Sequence, residues 1–234
     1  MSFYSTWAET RSLGLDDTAF MDSFLTSSEI SIAPLLSGSH DDIEAVFSVL
    51  NNIPAMEFVK AIVKQDLTND LQPSDVPCFS TFSNAIIRIN ELLEFAEDGL
   101  TYAELGYQII SMPNLMAQIK YGENHAKLAV AMSLVSTTAP HRPAKVYPTA
   151  LGSYLVQIAY EDKACVLRRL LLRDHCIQLL ISDAVKGFAR YRSVVHCLSD
   201  STAYRRRTSV KCAVEFALEE PDTQLLLNQI DWGL

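Results

Sequence analysis

The chain has 234 residues, 49% of them hydrophobic, and a formal net charge of −9. That apolar share excludes a disordered tail and suffices for a buried core. Eight glycines and nine prolines are few for a turn-rich β-sandwich, so the composition favours helices.

Residues 1–38 carry short apolar pieces among Ser, Thr and Gly and read as irregular. They show no basic stretch followed by an apolar run, so no secretory signal is expected. Ser39 and Asp42 precede the apolar-periodic run Ile43–Leu50, which predicts a helix starting near residue 40. Asn51-Asn-Ile-Pro54 ends it, and Pro54 opens a helix over Ala55–Lys64. The loop Thr68–Pro77 is rich in Asn, Asp, Ser and Pro. Phe82, Ile86, Ile89, Leu93 and Ala96 then recur at spacings of three and four, predicting a helix from Thr81 to Glu97. Asp98-Gly99 is a helix stop and a candidate domain boundary.

A short helix is expected over Tyr102–Ile110, then a turn through Ser111–Asn114. A longer helix follows over Leu115–Val135, with a break at Gly122. Ser136–Pro143 reads as a loop. Lys145–Tyr154 reads as a strand joined to a helix by a Thr-x-x-Gly turn. Beyond it, the apolar faces predict helices over Cys165–Ile181, Val185–Cys197 and Thr202–Glu219. The tail, Leu225–Leu234, is apolar enough to dock. No stretch of about 18 apolar residues occurs, so no membrane-spanning helix is expected. The five cysteines are odd in number and lack CxxC spacing. Buried, reduced thiols in a cytoplasmic protein are therefore expected, without disulfide, zinc or other cofactor.

Charge is unevenly distributed. Residues 1–100 hold four Lys/Arg against sixteen Asp/Glu, whereas residues 163–211 hold eleven basic residues against three acidic ones. A basic segment of this kind can concentrate polyanion, or it can neutralise the acidic half. Three parts follow: an acidic helical region over 1–98, a helix-turn-helix over 99–160 and a basic helical region over 161–234. The fold class expected is mainly α, helical bundle parts around a winged helix-turn-helix with a small β wing.

The middle part has the order of a winged helix. Gly99-Leu-Thr101 leads into Tyr102–Ile109, a polar turn follows, then a second helix, a loop and Val146–Gly152. A helix fits the major groove and brings the side chains of its first turns to base edges. Asn124, His125 and Lys127 would read bases, and Lys120, Tyr121 and Lys145 would reach phosphates. Leu100-Thr-Tyr-Ala-Glu-Leu105, Leu134-Val135 and Tyr147-Pro-Thr-Ala-Leu-Gly152 resemble the motifs of winged-helix modules in bacterial restriction and phage-defence proteins. In those, Ser133 is normally a glycine, and an Arg-Gln opening stands near Lys120-Tyr121. Ser201-Thr-Ala-Tyr-Arg-Arg-Arg-Thr-Ser-Val210 is similar to a further motif of that family. The resemblance covers about residues 99–220 and implies DNA binding in a defence or restriction-type system.

Arg205, Arg206 and Arg207 cannot share one helical face, because successive residues turn by about 100°. They grip phosphate, or they are solvated or paired with acids; the sequence leaves both open. Arg168, Arg169 and Arg173 form a second cluster in which the last two share a face. Glu161-Asp-Lys163 has the spacing of a metal-dependent nuclease triplet, but Glu123 is the nearest upstream acid and a helix-start carboxylate pair fits better. No P-loop, HExxH, GxSxG or GxGxxG is present. The reading is a non-catalytic protein that binds double-stranded DNA, acting with a partner protein or a second copy. The alternative is an assembly subunit whose winged helix and arginines dock protein.

Overall fold

The computed structural model describes residues 20–21, 24–26, 38–94, 96, 98–111, 113–138 and 144–233. Most of the expected irregular segment 1–38 lies outside them. Its described pieces bury Phe20, Met21, Phe24 and Leu25 in the core.

The protein is mainly helical. Helix α1 (His40–Asn52) starts where expected. The Ser39 hydroxyl accepts the amide of Asp42, and the Asp42 carboxylate accepts the amide and hydroxyl of Ser39. Helix α2 (Ala55–Lys64) follows Pro54 and buries Phe58, Val59 and Ile62. Next comes a helical stretch with a π-helical turn, Asn84–Arg88, continued by α3 (Ile89–Glu94).

Strand β1 (Leu100–Thr101), α4 (Tyr102–Ile110) and α5 (Leu115–Ala131) come next. Strand β2 (Val135–Thr137), β3 (Lys145–Pro148) and α6 (Ala150–Val156) follow. The three strands form one antiparallel sheet in the order β1-β3-β2, with Leu100 opposite Val146 and Ser136 opposite Tyr147. Thr101 caps α4 through a capping box with Glu104, Asn114 caps α5 and Thr149 caps α6.

No break occurs at Gly122; α5 runs through it. The glycine serves the crossing of α4 and α5 instead. A Cβ on Gly122 would lie 2.1 Å from the Tyr102 carbonyl oxygen, and one on Gly106 2.0 Å from that of Gln118. Each helix thus offers a bare backbone where the other presses closest. Ser111 and Ser133, with φ of 49° and 57°, hold the left-handed turns that end α4 and follow α5.

The C-terminal part departs further from the expected elements. The helix expected over Cys165–Ile181 is two: α7 (Tyr160–Leu171) and α8 (His175–Val185). The break comes from Asp174, whose carboxylate accepts the Ile177 amide and starts a new helix. The helix expected over Val185–Cys197 is absent. Gly187, at φ 118°, turns the chain into β4 (Ala189–Arg190) and the single turn α9 (Tyr191–Val194). Helix α10 (Asp200–Ala217) begins after Ser199, ahead of the expected Thr202. A 3-10 turn (Gln224–Gln229) leads into β5 (Ile230–Asp231), which pairs in parallel with β4 and docks the tail.

Core residues from most of these elements form one hydrophobic cluster, and β1 and the 3-10 turn pack partly buried side chains against it. Helix α1 packs on α6 and α7, and α2 packs on α8. The acidic first part therefore covers the basic last part. Of the cysteines only Cys176 is buried; Cys212 is exposed and the rest are intermediate. No single helix among the described residues is long and apolar enough to cross a membrane.

Candidate nucleic-acid interface

Helix α5 presents Lys120, Asn124, Lys127 and Ala131 at spacings of four and three, one stripe along its length. That stripe forms one wall of an open cleft of about 650 Å³. The other walls are the loop Pro73–Cys78, Arg173, Asp174 and His175 around the start of α8, and Arg206 of α10. Lys127 and Arg206 thus border the same space, although 79 positions separate them in the chain.

The α5 lysines are surface groups, with 65% and 41% of the Lys120 and Lys127 side chains exposed. Both reach Glu123, at 3.5 and 2.8 Å. The hydrogen bond from Lys127 chiefly holds the Glu123 carboxyl below the usual range. In solvent such pairs are weak, so an anion can compete for either lysine.

His125 does not read bases. It is 1% exposed. Its Nδ1 lies 2.8 Å from the Tyr121 carbonyl oxygen, the arrangement of a donor to that oxygen, and its Nε2 accepts the Ser80 amide at 3.1 Å. The ring must be neutral to do both, and burial holds its pKa below the usual 6.5. Tyr121 stacks on it, ring centroids 4.1 Å apart, and donates its hydroxyl to Ser80. Ser80 and His125 look like a nucleophile and base, but the Nε2 lone pair is already engaged by a backbone amide. The pair ties the start of the 82–94 helical stretch to α5. Lys145 donates to the Asp98 carbonyl oxygen at 2.9 Å.

The arginine cluster around α7 is internal. Arg169 is 1% exposed. It donates to the Ile53 carbonyl oxygen and pairs with Glu220 at 2.7 Å. Arg173 is 5% exposed, donates to the Phe24 carbonyl oxygen at 3.1 Å and to Ser133, and lies over the Phe24 ring. Neither can act as a surface phosphate clamp. Arg168 pairs with Glu219 and covers the Phe216 ring.

The three consecutive arginines divide, as helical geometry requires. Arg205 is exposed. Arg206 donates to the carbonyl oxygens of Val76, at 2.8 Å, and Pro73. Arg207 donates to the Trp232 carbonyl oxygen and lies over the Tyr204 ring. Two of them therefore fasten loop and tail to α10.

The nuclease triplet is taken apart by its helix. Glu161 is exposed, whereas Lys163 is buried and donates to the Leu155 carbonyl oxygen at 2.7 Å. Burial lowers the Lys163 pKa. Among the described residues no cluster of three His, Cys, Asp or Glu has the spacing to hold a metal.

Of the wall opposite α5, sequence reasoning picked out Arg173 and Arg206 and missed the rest. Asp174 and the Pro73–Cys78 loop carry no motif; only their chain-breaking residues are visible in advance. Asp174 is buried, and that burial pushes its carboxyl up to about 7. The sequence matches no family model and no curated protein, and the fold matches no solved structure.

Proposed function

We propose that residues 99–160 form a winged helix-turn-helix, and that the chain is a non-catalytic DNA-binding protein using the outer stripe of α5. The β1-α4-α5-β2-β3 order, the four-residue turn between α4 and α5 and the β1-β3-β2 sheet support the winged-helix reading. So does Ser133, left-handed where the resembling modules carry glycine. The observation that carries the DNA reading is the convergence of Lys120, Asn124, Lys127 and Arg206 on one cleft. Phosphates of a duplex lying over α5 would displace Glu123 from the two lysines, and the Asn124 amide would meet a base edge. Arg205 adds an exposed cation. The setting in a defence or restriction-type system follows from the motif resemblance alone.

A second reading has its own observation. Tyr107, Leu115 and Met116, around the α4–α5 turn, are 55%, 59% and 71% exposed. An apolar patch at the tip of a helix-turn-helix suits a partner protein better than a sugar-phosphate backbone. Titration of a duplex at rising salt separates the two readings. The DNA reading requires affinity that falls steeply with salt; no binding at low salt leaves the assembly reading.

A further inference from the structure

We infer that the cleft between α5 and the Pro73–Cys78 loop is a binding site for a small phosphorylated ligand, a nucleoside monophosphate in size and chemistry. This goes beyond duplex binding, which it neither requires nor is required by, although both use the α5 stripe. At about 650 Å³ the cleft falls within the range of small-molecule sites.

The walls divide in character as a nucleotide does. Lys120 and Lys127 on one side and Arg206 on the other bring cations to a shared space, and phosphate is the anion that such a set holds best. Arg206 lines the cleft as a half-buried cation, although its Nε is itself buried and turned from solvent. Its Nη1 bonds to the loop carbonyls fix the guanidinium in place. Val130, 40% exposed, supplies apolar surface for a base beside the buried Val76, Pro77 and Leu128. The Asn124 amide offers a donor and an acceptor to the base edge.

Two acids face the same space, and neither dominates it. Asp75 already accepts the Gln72 amide and the Ser74 hydroxyl. Asp174 is committed to the Ile177 amide, and burial keeps a large share of it protonated at neutral pH.

The test is calorimetric titration of the full chain with AMP, adenosine and inorganic phosphate at low salt. AMP should bind about tenfold or more tighter than either fragment, because the cleft engages both halves. The Lys120→Gln/Lys127→Gln variant should bind AMP about tenfold more weakly with an unchanged melting temperature, since both side chains are on the surface. Asn124→Ala should weaken AMP and leave phosphate unaffected. Absence of AMP binding at millimolar concentration overturns the proposal. So does equal binding by the lysine double variant, or phosphate binding as tight as AMP. Duplex titrated in parallel separates the two readings. Duplex binding without AMP binding overturns this site alone, and AMP binding without duplex binding overturns the DNA reading alone.

Discussion

Helices α5 and α7 both carry basic residues, and the fold puts them to opposite uses. On α7, Arg169 lies one turn after the buried Val166, and the guanidinium goes inside with that face. On α5, Lys120 and Lys127 fall opposite the buried His125, Ala126, Leu128 and Ala129. Charge counts along the chain merge these cases; helical phase separates them. The difference also reflects chemistry. A guanidinium can satisfy several carbonyl and carboxylate oxygens at once and so tolerates burial, as Arg169 does with Ile53 and Glu220. The lysines on α5 find one shared carboxylate and stay wet.

The contrast is tested hardest at Arg169. Arg169→Ala should cost about 3–5 kcal/mol of unfolding free energy, because it strips the largely buried Glu220 of its paired cation and the Ile53 carbonyl of its guanidinium donor. Urea denaturation measures this, and a loss below about 1 kcal/mol would erase the distinction between the two helices. Gly122→Ala should come next. The new Cβ meets the Tyr102 backbone, and overpacking costs about 1–3 kcal/mol despite the better helix propensity of alanine.

Two buried titrating groups give a pH signature of intermediate size. His125 has a depressed pKa, so its contribution is present above 6.5 and is lost as pH falls below that value. Asp174 is raised from 3.8 to about 7, so its contribution is full below 3.8 and is lost as pH rises through about 7. Asp174→Asn keeps a capping oxygen and cannot ionise. Between pH 7 and pH 8, above the His125 window, the melting temperature of the wild type should fall as Asp174 ionises, and the fall should be smaller in this variant. A wild type equally stable at both would show that burial of this carboxyl does not govern the pH response. The smallest effect belongs to α5: Lys120→Gln and Lys127→Gln should each change stability by no more than about 0.5 kcal/mol.

Local signals are legible wherever the chain states its own ends. Ser39 with Asp42, Pro54, Thr101 with Glu104 and Thr149 each place a helix start that the structure keeps. Gly122 misleads, because a helix-interior glycine reads as a break when its cause, the Tyr102 carbonyl across the crossing, is invisible in sequence. Asp174 misleads in the opposite sense: the apolar runs Leu170–Leu172 and Cys176–Ile181 on either side read as one helix and hide a cap. Half of the cleft is legible, in the stripe of Lys120, Asn124 and Lys127. The fate of Arg169, Arg173 and His125 is not, since each is settled by a distant backbone group: Ile53, Phe24 and Ser80.

The basic residues thus divide into internal clamps and one outward stripe, and that stripe is proposed to meet nucleic acid. The most direct test is duplex affinity against salt for the wild type and the Lys120→Gln/Lys127→Gln variant. The wild type should bind at low salt, and the log–log salt slope of the variant should be shallower by about 2, one for each phosphate that a lysine no longer neutralises. Wild-type protein that fails to bind at low salt, or identical slopes in the two proteins, would contradict the proposal.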